Sequence, residues 1–219
     1  MKRIFLLISF IFSINSLIAQ TLDAGKVIYD ISFPESNFDE QTLSMMPKEA
    51  TMYFNNDKTR MEMQMGMGMN MITIGDNKSK TATVLMDMMG NKTAMTMTEQ
   101  DIIKESKKAG EYEIKNTDET KIIAGYLCRK AVVTLKDKNS FNVWFTDQIK
   151  VKNANWNNQF KNINGFLMEF RMDQNNGLSM QMTAKKVSDE KPADDLFVVP
   201  EGYKKMTKDE MMKMYGGKN

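Results

Sequence analysis

Between Met61 and Met71 the chain reads MEMQMGMGMNM, with methionine at every second position. A period of two is the period of a β-strand, whose successive side chains point to opposite faces. Six thioethers therefore fall on one predicted face, and Glu62, Gln64, Gly66, Gly68 and Asn70 on the other. Helical geometry would scatter these methionines around the axis instead. Glycine inside a strand marks a kink or a close backbone approach, so Gly66 and Gly68 predict a bent strand.

The rest of the chain alternates in the same way. Lys26–Phe33, Ala50–Phe54, Thr81–Met89, Thr93–Met97, Tyr112–Ile123, Tyr126–Lys136 and Phe141–Thr146 all read as strands, the fifth broken near Thr117-Asp118. Phe166–Met172 and Leu178–Ala184 flank Asn175-Asn176-Gly177, a strong signal for a hairpin with a type I′ turn. A last short strand is predicted over Leu196–Val199, ended by Pro200. Short helices are predicted over Ser36–Met46, after the capping box Thr98/Asp101, and after the capping box Thr207/Glu210. Lys150–Asn164 is asparagine-rich and reads as loop. Ten or so strands with brief helices predict a mainly β, α+β domain built on a curved antiparallel sheet.

The first residues, MKRIFLLISFIFSINSLIAQ, have a basic start, an apolar run and a small residue at Ala19. That is the shape of a signal peptide over 1–19, followed by a single β-rich domain over 20–219. The apolar run is too short to span about 30 Å of hydrocarbon. No cysteine stands at the junction to carry a lipid, so a periplasmic or secreted protein is expected. Without Lys2 and Arg3 the basic residues fall from 30 to 28, equal to the 28 acidic ones. That balance supplies no basic field for nucleic acid, and no transmembrane span is expected in the mature chain. A monomer is expected.

Catalytic chemistry finds little footing in the composition. Histidine is absent, which removes the usual triads and zinc sites. Cys128 is the single cysteine and lies mid-strand, where a buried inert thiol is expected. Asp118, Glu119, Asp194 and Asp195 lie in charged, turn-like stretches. No phosphate-cradling glycine loop is present, and no cofactor is expected. A protein that is not an enzyme is expected.

Three stretches carry a family likeness. Ile123–Ala131 contains G-Y-L-C-R-K-A, Gly165–Phe170 reads GFLMEF, and Phe197–Lys204 reads FVVPEGYK. In this order, behind an export signal, they resemble the uncharacterised bacterial family called domain of unknown function 4412, and also the GLPGLI proteins. The resemblance implies a half-open barrel around a few helices, like that of the periplasmic lipoprotein carriers. It implies no activity and no site residues, and the methionine runs depart from the family.

Three roles are open for the methionines, of which the chain has 23. They can be plain core, since methionine fills irregular gaps well. They can line an adaptable cavity for an apolar or lipid-like ligand. They can hold Cu(I) or Ag(I), which thioethers select over harder ions. The candidate ligand-binding residues are Met61, Met63, Met65, Met67, Met69, Met71, Met86, Met88, Met168, Met172, Met180 and Met182.

Overall fold

The computed structural model describes residues 21–34, 38–109, 112–135, 139–173 and 178–215. The leader and the Asn175-Asn176-Gly177 turn lie outside the described residues. The chain opens with β1 (Ala24–Ser32), α1 (Glu40–Ser44), β2 (Glu49–Asn55) and β3 (Lys58–Gln64). Then come β4 (Met69–Asp76), β5 (Thr81–Met88), β6 (Asn91–Thr98) and α2 (Glu99–Ala109). The second half holds β7 (Glu113–Ile123), β8 (Tyr126–Thr134), β9 (Ser140–Thr146), β10 (Phe166–Asp173) and β11 (Ser179–Ser188). A two-residue strand β12 (Lys204–Lys205) and α3 (Lys208–Tyr215) close it.

All twelve strands join one sheet in the order β12-β6-β5-β4-β3-β2-β1-β11-β10-β9-β8-β7. Each pairing is antiparallel except β12 with β6. Two meanders, β2–β6 and β7–β11, are thus sewn together through β1, which pairs with β2 on one side and β11 on the other. The edge strands β12 and β7 do not pair with each other, so the sheet is not closed into a barrel.

The methionine run is not one strand. It is the β3–β4 hairpin, turned through a short 3-10 segment at Gly66–Gly68. Two glycines allow this. A side chain at Gly66 would press its Cβ to 2.8 Å from Met45 Cα, and the Gly66 amide donates to the Met45 carbonyl at 2.8 Å. Gly68 takes φ 71°, a left-handed conformation that costs glycine little. Met67 between them takes φ 62° and is 78% exposed. The turn thus removes Met65 and Met67 from the regular face. The other four stay together, because Met63 pairs with Met71 and residues 61 and 69 share their parity.

Both capping boxes form. Thr98 and Asp101 exchange side-chain and backbone hydrogen bonds at the start of α2, as Thr207 and Glu210 do for α3. The register of β7 against β8 shifts between Asn116 and Thr120, at the expected break. Leu196–Val199 is not a strand. Asp194–Phe197 forms a 3-10 turn that buries Phe197. Its backbone bonds locally, Leu196 N to Ala193 O and Val198 N to Asp195 O, and so takes no place in the ladder. Alternation alone misreads such a segment.

The main core lies on one sheet face around Val27, Tyr29, Phe54, Val133, Val143, Phe145, Met168 and Met182. Residues 150–164 are irregular, as expected, but they fill this core. Phe160 is wholly buried and meets Phe141 and Phe170 edge to face, with centroids 6.3 and 5.9 Å apart. Irregular backbone survives burial only if its polar groups find partners. Asn155 supplies them, its amide donating to the Ile163 and Gly165 carbonyls at 2.8 and 2.9 Å. Trp156 reaches across to Asn77, donating its indole N–H to Oδ1 at 2.8 Å.

A second, smaller cluster of Ile74, Leu85 and Ala94 lies on the opposite face of β4–β6. Ile72 and Tyr203 pack against it. Residues 194–206 run along this face. Arg60, buried, bonds the Leu196 carbonyl at 2.9 Å and Glu62 at 2.5 Å, while Met206 N bonds the Ala94 carbonyl.

Candidate functional site

The strands β3, β4 and β5 put different chemistry on their two faces. Glu62 pairs with Ile72, Gln64 with Asn70, and Asn70 with Asp87, so these polar residues share one side. The segment that ends in β12 brings Tyr203 to them, and the chain after α1 brings Ser44, Met46 and Lys48. Between these elements lies a groove of about 600 Å³. Its polar lining comes from Thr51, Glu62, Gln64, Asn70 and Asp87, with Tyr203 as its aromatic wall.

Tyr203 is fixed by its neighbours. Lys92 Nζ stands 5.8 Å from its ring centroid. Burial and then the Asp87 carboxylate raise its phenol above the ordinary tyrosine value, with Arg60 opposing. It therefore keeps its proton, and can donate a hydrogen bond, throughout the neutral range. Glu62 is tied on one side to Arg60, an ion pair that fixes its orientation.

The structure spreads the twelve candidate methionines over four settings. Met63, Met65 and Met71 border the groove. Met61, Met69, Met86 and Met88 are half-buried, and parity places their side chains on the sheet face opposite Glu62 and Asn70. Met168, Met180 and Met182 are buried in the packed core, and Met172 packs against it. Met67 stands alone and exposed at the hairpin turn. The six thioethers of Met61–Met71 expected on one face are therefore split, because the chain turns at Gly66–Gly68, and the β10–β11 methionines face filled core.

The polar lining was missed in the sequence. Its signal was present, as the residues between the methionines, but alternation alone does not tell which face is covered. Tyr203 comes from over 100 residues away and has no local signature.

A smaller cavity of about 330 Å³ lies between Trp156, Asn153, Lys161 and the Lys80–Glu99 ion pair, whose charged atoms are 2.6 Å apart. Cys128 is buried in the main core, and burial pushes its thiol up to about 11. Its Sγ donates to the Tyr126 carbonyl at 3.4 Å.

The model of the family described as "N-glycanase peptide, N-terminal domain" matches residues 39–211, well over half of the chain. The chain belongs to this family. That overturns the resemblance to domain of unknown function 4412 and the GLPGLI proteins, while the mainly β architecture expected from the strand pattern is the one observed. It also overturns the expectation of a protein that is not an enzyme, since the family is named for an N-glycanase. The three motifs behind the mistaken resemblance have plain structural work. Gly125 takes φ 87° in the β7–β8 turn, Gly165 abuts Phe145 where β10 begins, and Pro200–Gly202 turns the chain toward β12. Such features recur wherever strands turn and pack, so they identify no family by themselves.

The solved structure of PNGF-II, in space group C2, has a TM-score of 0.56 and 21% identity. The match covers 87% of this chain and 32% of that one, and it shows a shared fold. MucB matches at TM-score 0.35 and 10% identity, over 84% of this chain and 59% of its own. A β-barrel-like protein of domain of unknown function 1849, from Brucella abortus, matches at 0.31 and 9%, over 77% and 98%. Neither of the last two carries an argument. No curated protein matches the chain. Among the described residues no helix is long and apolar enough to cross a membrane.

Proposed function

We propose that this chain is a glycan-binding module of an exported N-glycanase-type protein, holding the sugar of an N-linked glycopeptide in the polar groove. The observation that carries this is the lining itself. Carboxylates at Glu62 and Asp87 accept from sugar hydroxyls, and the amides of Gln64 and Asn70 both donate and accept. Tyr203 offers an apolar ring against sugar C–H groups, with a hydroxyl at its tip. A few convergent polar groups around one aromatic wall suit a neutral, hydroxyl-rich ligand better than a greasy one. Family membership supplies the substrate class.

The test is a titration of the full chain with an N-glycopeptide and with the same peptide lacking its glycan. Only the glycosylated form should bind, and Tyr203→Ala should weaken it about 10-fold, or ~1.4 kcal/mol. Equal binding of both peptides would overturn the proposal. The same samples, assayed for free glycan, report any hydrolysis.

A second role belongs to the methionine face. Its half-exposed side chains are what an apolar or lipid-like ligand would meet. Organic extraction of protein purified from the cell envelope, read by mass spectrometry, tests this, and a consistently empty extract counts against it.

A further inference from the structure

Neither sugar binding nor family membership gives a use to the way the hairpin gathers its thioethers. Met63 pairs with Met71, and Met71 pairs with Met86. Three methionines from three adjacent strands therefore occupy one cross-strand row, on one face. Ala50 continues the row beyond Met63, and Thr93 beyond Met86. The row thus holds three thioethers and no carboxylate, thiol or amine. Met69 pairs with Met88 one step along, and Met52 with Met61 one step the other way.

The turn at Gly66–Gly68 is what makes this row. Along a single strand, methionines two residues apart are separated by ~6.6 Å. Across paired strands the separation is ~4.8 Å, with Cβ atoms about 4.5–5.5 Å apart. Methionine has three rotatable bonds, so neighbouring sulfurs at that spacing can converge on one ion. Access is graded. Met63 is 9% exposed and packs in the main core, Met71 packs against it, and Met86 is half-buried. A row of this kind is firm at one end and reachable at the other.

We propose that Met63, Met71 and Met86 form a binding site for a soft monovalent ion, Cu(I) or Ag(I). A neutral set of three thioethers selects such ions over Zn(II), Mg(II) or Ca(II), which take harder donors. The site does not rest on glycan binding: strand parity puts these three side chains on the face opposite Glu62, Asn70 and Asp87, although Met63 and Met71 also border the groove.

The full chain is titrated with Ag(I), and with Cu(I) under reducing conditions, against a competing chelator. Wild type should bind one equivalent, and Zn(II) should not compete. Met63→Leu/Met71→Leu/Met86→Leu keeps volume and apolarity but removes the donors. It should bind about 100-fold more weakly, while Met45→Leu/Met67→Leu/Met89→Leu, at exposed positions, should bind like wild type. A second readout needs no variant. Bound Ag(I) should slow peroxide oxidation of Met63, Met71 and Met86, read peptide by peptide, and leave Met67 and Met89 unprotected. Unchanged affinity in the first triple variant, no binding by wild type, or protection elsewhere would each overturn the site.

Discussion

Two groups of methionines in one sheet have opposite fates. In the second half of the sheet, Met168, Met180 and Met182 lie on β10 and β11 beneath Phe160 and the 150–164 segment, and are buried. In the first half, Met61, Met69, Met71, Met86 and Met88 lie on β3–β5 and are only half-buried. The residue type and the alternation are the same in both. What differs is whether the sequence supplies a plug. Asn155 ties one together through the Ile163 and Gly165 carbonyls, Trp156 anchors it to Asn77 beyond β4, and its Phe160 packs on Phe141 and Phe170 in the second half. A methionine stripe therefore reports an extended strand well, and its environment poorly.

The largest effect should come from removing the plug's anchor or what lies beneath it. Phe160→Ala and Met168→Ala should each cost about 2–5 kcal/mol, the range for emptying a packed core site, read as a shifted urea midpoint. Met88→Ala, on the open half, should cost ~1 kcal/mol or less. Equal losses at Met168 and Met88 would erase the contrast between the halves. Met67→Asn, at the left-handed turn position, should stabilise the chain by about 0.5 kcal/mol, because asparagine tolerates that conformation better. A destabilised variant would mean the Met67 side chain does more than its exposure indicates.

The smallest effect concerns acid. Asp76 closes the β4–β5 turn, accepting from the backbone N–H groups of Lys78 and Ser79 at 3.0 and 2.9 Å. Those bonds, Ser79's first, hold its carboxyl below the ordinary carboxylate range. A depressed value in the folded state adds stability that is present above the unfolded value, ~3.9, and is lost as pH falls through the folded one. Asp76→Asn should therefore flatten a little of the stability loss below about pH 4, and leave the pH 7 to 9 region parallel to wild type. An unchanged acid limb would remove the turn from the account.

Much of the strand order was legible because alternation, capping boxes and the Thr117-Asp118 break are local signals, and each appears where its chemistry requires. The β3–β4 turn was not legible. Met65, Gly66, Met67 and Gly68 keep the alternation through the bend, and the two glycines read equally as a kinked strand or as a reversal. Deciding between them needs the contact of Gly66 with Met45, a residue 21 positions away. The groove was illegible for a similar reason. Glu62, Gln64 and Asn70 look like a solvated face until Tyr203, just ahead of β12, is laid beside them by the chain that follows the Asp194–Phe197 turn. The motifs around Gly125, Gly165 and Gly202 misled for the opposite reason, since they specify turns and contacts rather than a site.

The proposed glycan site is the polar groove, not the open methionine face, and the methionines themselves can test this. With 13C in their methyl groups, Met46 and Met65 report on the groove they border, while Met168 and Met182 lie in the core and Met89 is 87% exposed. Addition of an N-glycopeptide should shift the signals of Met46 and Met65 in a saturable way, and leave those of Met168, Met182 and Met89 in place. Shifts centred on Met69, Met86 and Met88 instead, or none at saturating glycopeptide, would contradict the assignment.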